Sequence, residues 1–130
     1  MFLICGEALF DVFLEGEPPM TADELSFSAR VGGSPFNVAV GLARLGRNPA
    51  LLTGVSTDFF GDRLAAVMEK ERVSTDFLCR KSGPTTLGFV QKNVRGLPDY
   101  AFYGNGAADR SLELDDTRQA FGALDAIHLG

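Results

Sequence analysis

Three rhythms of apolar and polar positions run along this chain. Phe2–Cys5 is wholly apolar and ends in Gly6, while Ala50–Val55 and Ala126–Leu129 are shorter-period, largely apolar runs. Such runs predict strands buried on both faces of a sheet. Two stretches carry a helical period instead. In Pro35–Leu45 the residues Phe36, Val38, Ala39, Val40, Leu42, Ala43 and Leu45 cover nearly the whole helical surface, which predicts a buried helix. From about Phe59 to Arg72, behind Asp58 as a capping residue, Phe60, Leu64, Val67 and Met68 make a single apolar stripe. A third rhythm alternates: Leu25–Val31 reads as a half-exposed strand. Two strand-like runs, from Thr85 and from Asp99, flank the turn residues Arg95-Gly96-Leu97-Pro98. Asp116 with Gln119 resembles a capping box for a short helix. The β–α–β–α order of the first part predicts an α/β fold around a parallel sheet.

Composition narrows the function classes. At 130 residues the chain is one domain in size. A net charge of −5 and a pI near 4.7 argue against nucleic acid as a partner. Cys5 and Cys79 form no CxxC and read as reduced thiols, with one disulfide left open as the alternative. The start M-F-L-I-C-G-E has no basic n-region and no apolar run is long enough to span a bilayer. The expectation is therefore a cytoplasmic protein with no membrane partner.

The stretch Arg30–Gly46 carries the candidate chemistry. Gly32 and Gly33 permit close backbone approach to a ligand, because no Cβ intervenes. Ser34 is the expected N-cap, Pro35 suits the first helical turn, and Gly46 suits a left-handed C-cap. Asn37, Gly41 and Arg44 share the one polar helical face, which places Asn37 in the first turn, where free N–H groups collect oxygen atoms. A tight turn feeding a core helix and a site for a polyhydroxylated ligand both fit these residues. Asp11 stands among Phe10, Val12, Phe13 and Leu14, where it could cap its own loop or bind a ligand.

Gly32-Gly33-Ser34-Pro35-Phe36-Asn37-Val38-Ala39 followed by Leu45-Gly46 resembles the N-terminal signature of the PfkB (ribokinase-like) carbohydrate kinases. Gly6, Asp11, the run Ser56–Leu64 and Ala108-Asp109 also fall where fructokinase-like members have similar segments. Ser56 departs from the glycine that many members carry. The resemblance covers essentially all of the chain but only the N-terminal part of the family's domain. It implies a ribokinase-like three-layer α/β fold with a parallel central sheet and a small β lid, truncated after Gly130. Lid strands are expected at about 12–31 and 85–105. The implied sugar ligands are Asp11, Gly32, Gly33 and Asn37, with Phe89, Gln91, Phe102 and Tyr103 as candidate lid contacts. The implied partners are a small-molecule sugar and a second subunit bound through the lid strands.

Other chemistry is rejected. No G-x-G-x-x-G follows the first strand, and Arg47-Asn48 replaces the Lys-Ser/Thr of a Walker sequence after Gly41–Gly46. Gly104–Asp109 has the wrong spacing for the family's Gly-Ala-Gly-Asp element, so no catalytic residue is assigned within the chain. His128 is the one histidine and has no companion ligands, so no metal site is expected. The resemblance implies that ATP and Mg²⁺ are bound mainly by a missing C-terminal part, leaving these 130 residues inactive alone. The parent reaction would be ATP-dependent phosphorylation of a sugar hydroxyl, fructokinase-like, although related kinases use nucleosides, ribose or keto-deoxy acids. The alternative is a non-catalytic sugar-binding or subunit-pairing module.

Overall fold

The computed structural model describes residues 1–117, 120–122 and 124–130. Two four-stranded sheets are joined through one layer of helices. The first sheet is parallel throughout, in the order β5-β4-β1-β8, with β1 Phe2–Cys5, β4 Pro49–Ser56, β5 Leu78–Lys81 and β8 Ala126–Leu129. The second is mixed, in the order β3-β2-β6-β7, with β2 Leu9–Leu14, β3 Phe27–Gly32, β6 Leu87–Lys92 and β7 Pro98–Tyr103. Its two outer ladders are antiparallel, and the central β2–β6 ladder is parallel.

All eight residues of β4 are buried, as a central parallel strand requires. On one face of the first sheet, Ile4, Leu51 and Val55 pack with α1 (Ser34–Arg44) and α2 (Phe59–Lys70) through Phe36, Ala39, Val40, Leu64 and Met68. Phe10 and Val12 of β2 join this core, and Phe10 lies 5.0 Å from Phe60. On the opposite face Leu3, Ala50 and Leu52 pack against Ala120, with Leu112 and Leu124 at the margin. The layering agrees with the expected architecture. The short strand β5, whose Leu-Cys-Arg-Lys sequence carries no apolar alternation, was not anticipated. Cys5 and Cys79 are free thiols on β1 and β5.

Several local expectations are corrected. Ser34 is the first helical residue of α1, and its N-cap is Gly33, with no side-chain cap on that residue. The Ser34 N–H is instead satisfied by the Glu7 carboxylate, 3.0 Å away. Gly46 does take the left-handed conformation at φ 72°, and its N–H donates to the Ala43 carbonyl. The α1 helix is buried on one side only: Val38 and Leu42 are half-buried and Leu45 is 77% exposed. All four residues of β8 are exposed at the sheet edge, against the expectation of a buried strand. Both differences have one cause, since no described residue covers those surfaces. Asp116 lies inside α3 (Leu114–Thr117) and accepts from the Glu113 N–H, 2.7 Å away, so it reaches back rather than leading the helix. Its proposed companion Gln119 lies outside the described residues.

Asp58 performs as expected and does more. Its side chain accepts from the Gly61 N–H at 2.8 Å, capping α2. It also accepts from the N–H and hydroxyl of Thr85 at 2.9 and 2.7 Å, tying that helix to the entry of β6. Burial pushes the Asp58 carboxyl up, but the hydrogen bonds from Gly61, Thr85 and Ser56 outweigh it and hold it below the usual carboxylate range. A depressed acid stabilises the fold above its unfolded pKa of about 3.9, and that contribution is lost as pH falls through the folded value. Replacing Asp58 with Ala should destabilise the chain by about 2–4 kcal/mol at pH 7, from the lost cap and the unpaired Thr85 groups. Urea unfolding should show Asp58→Asn recovering part of this loss, and the Asp58→Ala deficit shrinking below pH 4.

Candidate functional site

Strand alternation puts Leu9, Asp11 and Phe13 of β2 on one face and Phe10, Val12 and Leu14 on the other. Since Phe10 and Val12 enter the core, Asp11 is turned the opposite way, toward a groove beside the start of α1. Asp11 is therefore a strand residue and not a loop residue.

Two glycines bracket its carboxylate. A Cβ on Gly32 of β3 would collide with Asp11 Oδ2, and a Cβ on Gly88 of β6 would stand 3.3 Å from Asp11 Oδ1. Arg30 is the cross-strand neighbour of Asp11 in the β2–β3 ladder. Its guanidinium nevertheless lies over the Phe13 ring, 5.8 Å from the centroid. Among the described residues no hydrogen bond or ion pair engages the Asp11 carboxylate. Burial pushes its pKa up. A half-buried, unpartnered acceptor of this kind suits ligand hydroxyls.

The opposite wall is the first turn of α1. Gly33 has φ 105°, and a Cβ there would press to 2.8 Å from the Glu7 carbonyl oxygen, so both conformation and contact require glycine. The Asn37 N–H donates to the Gly33 carbonyl at 2.9 Å, leaving its exposed side chain open toward the groove. Asp11, Gly33 and Asn37 thus line one cavity of about 570 Å³. Gly32 does not line it, and acts only by leaving room for the Asp11 carboxylate.

Of the four aromatic and amide candidates in the later strands, Phe102 lines this cavity. It stacks with Tyr100, with centroids 5.7 Å apart and planes at 3°, forming an apolar wall opposite Asn37. Phe89, Gln91 and Tyr103 line a separate hollow of about 640 Å³ on the other face of the sheet. There Phe89 packs edge-on against both Phe27 and Tyr103, each with centroids 5.4 Å away.

Sequence reasoning missed Tyr100, although period-two alternation from Phe102 would have found it. It also missed Glu7, whose carboxylate stabilises the α1 N-terminus from the β1–β2 loop. A second cavity of about 390 Å³ continues the groove past Phe102 to Thr86, Asp109 and Arg110. His128 lies on exposed β8, outside the groove.

No group of three or more His, Cys, Asp or Glu side chains is placed to hold a metal ion among the described residues. In the glycine-rich turn Gly104–Asp109, the N–H groups of Ala107 and Ala108 donate to the carbonyls of Gly104 and Pro84. Those donors are not available to cradle a phosphate. No described helix is long and apolar enough to cross a membrane.

The family model for pfkB family carbohydrate kinases matches residues 3–130. The chain belongs to that family. It is 35% identical to a fructokinase from Rhizobium leguminosarum bv. trifolii over 130 residues, all of this chain and 39% of the relative. Among solved structures, a fructokinase from Xylella fastidiosa superposes with a TM-score of 0.88 at 30% identity, covering 98% of this chain and 40% of that one. A fructokinase with bound ATP from the same organism superposes with a TM-score of 0.79 at 33% identity, covering 92% and 37%. The pfkB chain described here thus spans about two-fifths of the length of these relatives, and its fold is the ribokinase-like α/β fold.

The unpartnered Asp11 gives this pfkB chain a testable asymmetry. An acid whose folded pKa is raised carries stability that is present below its unfolded pKa and lost as pH rises through the folded value. At pH 7 Asp11→Asn should therefore be as stable as the parent or slightly more so. Denaturation at falling pH should show this advantage disappearing near the ordinary carboxylate range. A large loss of stability at pH 7 would instead mark Asp11 as a structural residue.

Proposed function

We propose that these residues form the sugar-binding part of a cytoplasmic ATP-dependent carbohydrate kinase, fructokinase-like in substrate, that phosphorylates a sugar hydroxyl. The observation that carries this reading is the unpartnered Asp11 carboxylate, set between two Cβ-free strand positions and facing the first turn of α1. A carboxylate with both oxygens open can accept from two adjacent hydroxyls, a pattern common to sugars. Asn37 offers a donor and an acceptor from the other wall. The Gly32-Gly33 backbone lets the sugar approach without a side chain between, and the Tyr100–Phe102 wall suits its C–H face. In this reading the sheet β3-β2-β6-β7 acts as a lid whose inner face holds the sugar.

The groove positions the substrate; it supplies no phosphate cradle. In this reading the nucleotide, its metal ion and the base that activates the hydroxyl are supplied mainly by a C-terminal part outside these 130 residues, which alone transfer no phosphoryl group. In the longer protein that carries that part, Asp11→Ala and Asn37→Ala should each weaken fructose binding by about 1–3 kcal/mol. ATP affinity measured without sugar should hardly change. Calorimetric fructose titrations with and without an ATP analogue provide the check. Normal fructose binding by both variants would sink the site assignment, and an absence of any nucleotide effect would favour a non-catalytic sugar-binding module.

The core-facing side of the second sheet runs on past Val12 into an uncovered aromatic surface, which favours a second copy of the chain as partner. Phe27 and Tyr103 are 43% and 66% exposed there beside Phe89, a contiguous aromatic surface that costs free energy when left in water. Sedimentation velocity on the longer protein should give a dimer, and Phe27→Asp should shift it toward monomer. A strict monomer before substitution would count against this pairing.

A further inference from the structure

We propose that Arg110 is a sugar-binding, specificity-determining residue, and that the groove it completes selects neutral sugars over sugar acids. The proposal rests on the reading of the groove as a sugar site. The cavities around Asp11 and around Arg110 share Glu7, Leu9 and Phe102, so they are two ends of one groove. A ligand held at Asp11 can extend past Phe102 to reach the guanidinium.

The base of Arg110 is firmly placed. It closes a single 3₁₀ turn, Ala108–Arg110, in which Ala108 and the preceding Ala107 are buried. The Arg110 N–H donates to the Ala107 carbonyl at 3.1 Å, and Ala108 is pinned to the Pro84 carbonyl at 2.9 Å. The side chain then lies over Gly104, where a Cβ would stand 3.7 Å from Arg110 Cζ. The absence of a side chain at Gly104 leaves the guanidinium room along the groove floor.

Arg110 makes no ion pair among the described residues, although carboxylates line the same groove. Those carboxylates are engaged elsewhere: Asp109 accepts from the Thr86 hydroxyl at 2.7 Å, and Glu7 accepts from the Ser34 N–H. The guanidinium is thus a set of donors with no partner, at the far end from an acceptor with no partner. A neutral polyol satisfies both, because each hydroxyl or ring oxygen can donate or accept as its place demands. A sugar acid would gain at Arg110 but would bring its charge beside Glu7, Asp11 and Asp109, three carboxylates against one guanidinium.

The test uses D-fructose and 2-keto-3-deoxygluconate as calorimetric probes of the longer protein, with Asp11→Ala as the control for the site. The unaltered protein should bind fructose at least tenfold more tightly than the acid. Arg110→Met should weaken fructose at least fivefold without shifting the melting temperature, Arg110→Lys should restore part of that loss, and Asp109→Asn should narrow the preference by strengthening the acid. Tighter binding of the acid by the unaltered protein would overturn the proposal. So would unchanged fructose affinity in Arg110→Met while Asp11→Ala weakens binding, an outcome that leaves the sugar-site reading standing. If the unaltered protein binds neither probe, both readings fall together.

Discussion

The close approach at Gly32 and Gly33 is the constraint on which the groove depends. Strand β3 ends at Gly32 and helix α1 begins at Ser34, so one residue separates the strand from the helix. That residue, Gly33, has a positive φ and is pressed against the Glu7 carbonyl, while Gly32 sits under the Asp11 carboxylate. No slack remains at this junction. The position of Asp11 in one sheet relative to Asn37 on a helix packed against the other is consequently set by covalent geometry and by two missing Cβ atoms. Adding either Cβ would move the strand, the helix or the carboxylate.

A second tie holds the other side. Asp58 fastens the start of α2 to Thr85, just before β6 enters the second sheet. The two carboxylates behave oppositely because their surroundings do. Asp58 is surrounded by donors and stabilises the fold, whereas Asp11 is deprived of donors and held in a form that burial disfavours. Unpaired polar groups kept at some cost in stability are characteristic of sites arranged for a ligand.

The architecture was legible where periodicity was strong. The apolar runs Phe2–Cys5 and Ala50–Val55, the stripe of α2 and the Asp58 cap all appear as their sequences indicate. The glycine pair and Asp11 could be singled out because glycine and aspartate among apolar neighbours need a reason. What escaped was anything supplied across the chain. The α1 N-terminus looks capped by Ser34 in sequence, yet the oxygen comes from Glu7, 27 residues earlier. In β7 the adjacent Phe102 and Tyr103 look alike in sequence, and only the period of two that pairs Phe102 with Tyr100 separates the two faces. Apolar sequence also records intended burial, which is why α1 and β8 read as more covered than the described residues make them.

The order of the second sheet bears on how the molecule assembles. Its central ladder joins Phe10–Phe13 to Leu87–Val90, strands separated in sequence by the whole β4–α2–β5 portion of the first sheet. Neither half of the sheet can find the other by local hairpin closure. Their pairing has to repay the entropy of closing so long a loop, which local contacts in the intervening parallel unit reduce when they form earlier. The groove is therefore a late product of folding. During synthesis on the ribosome, the Asp11 side of the groove emerges long before the strand that completes it, and an aromatic-rich strand edge waits in water until β6 arrives.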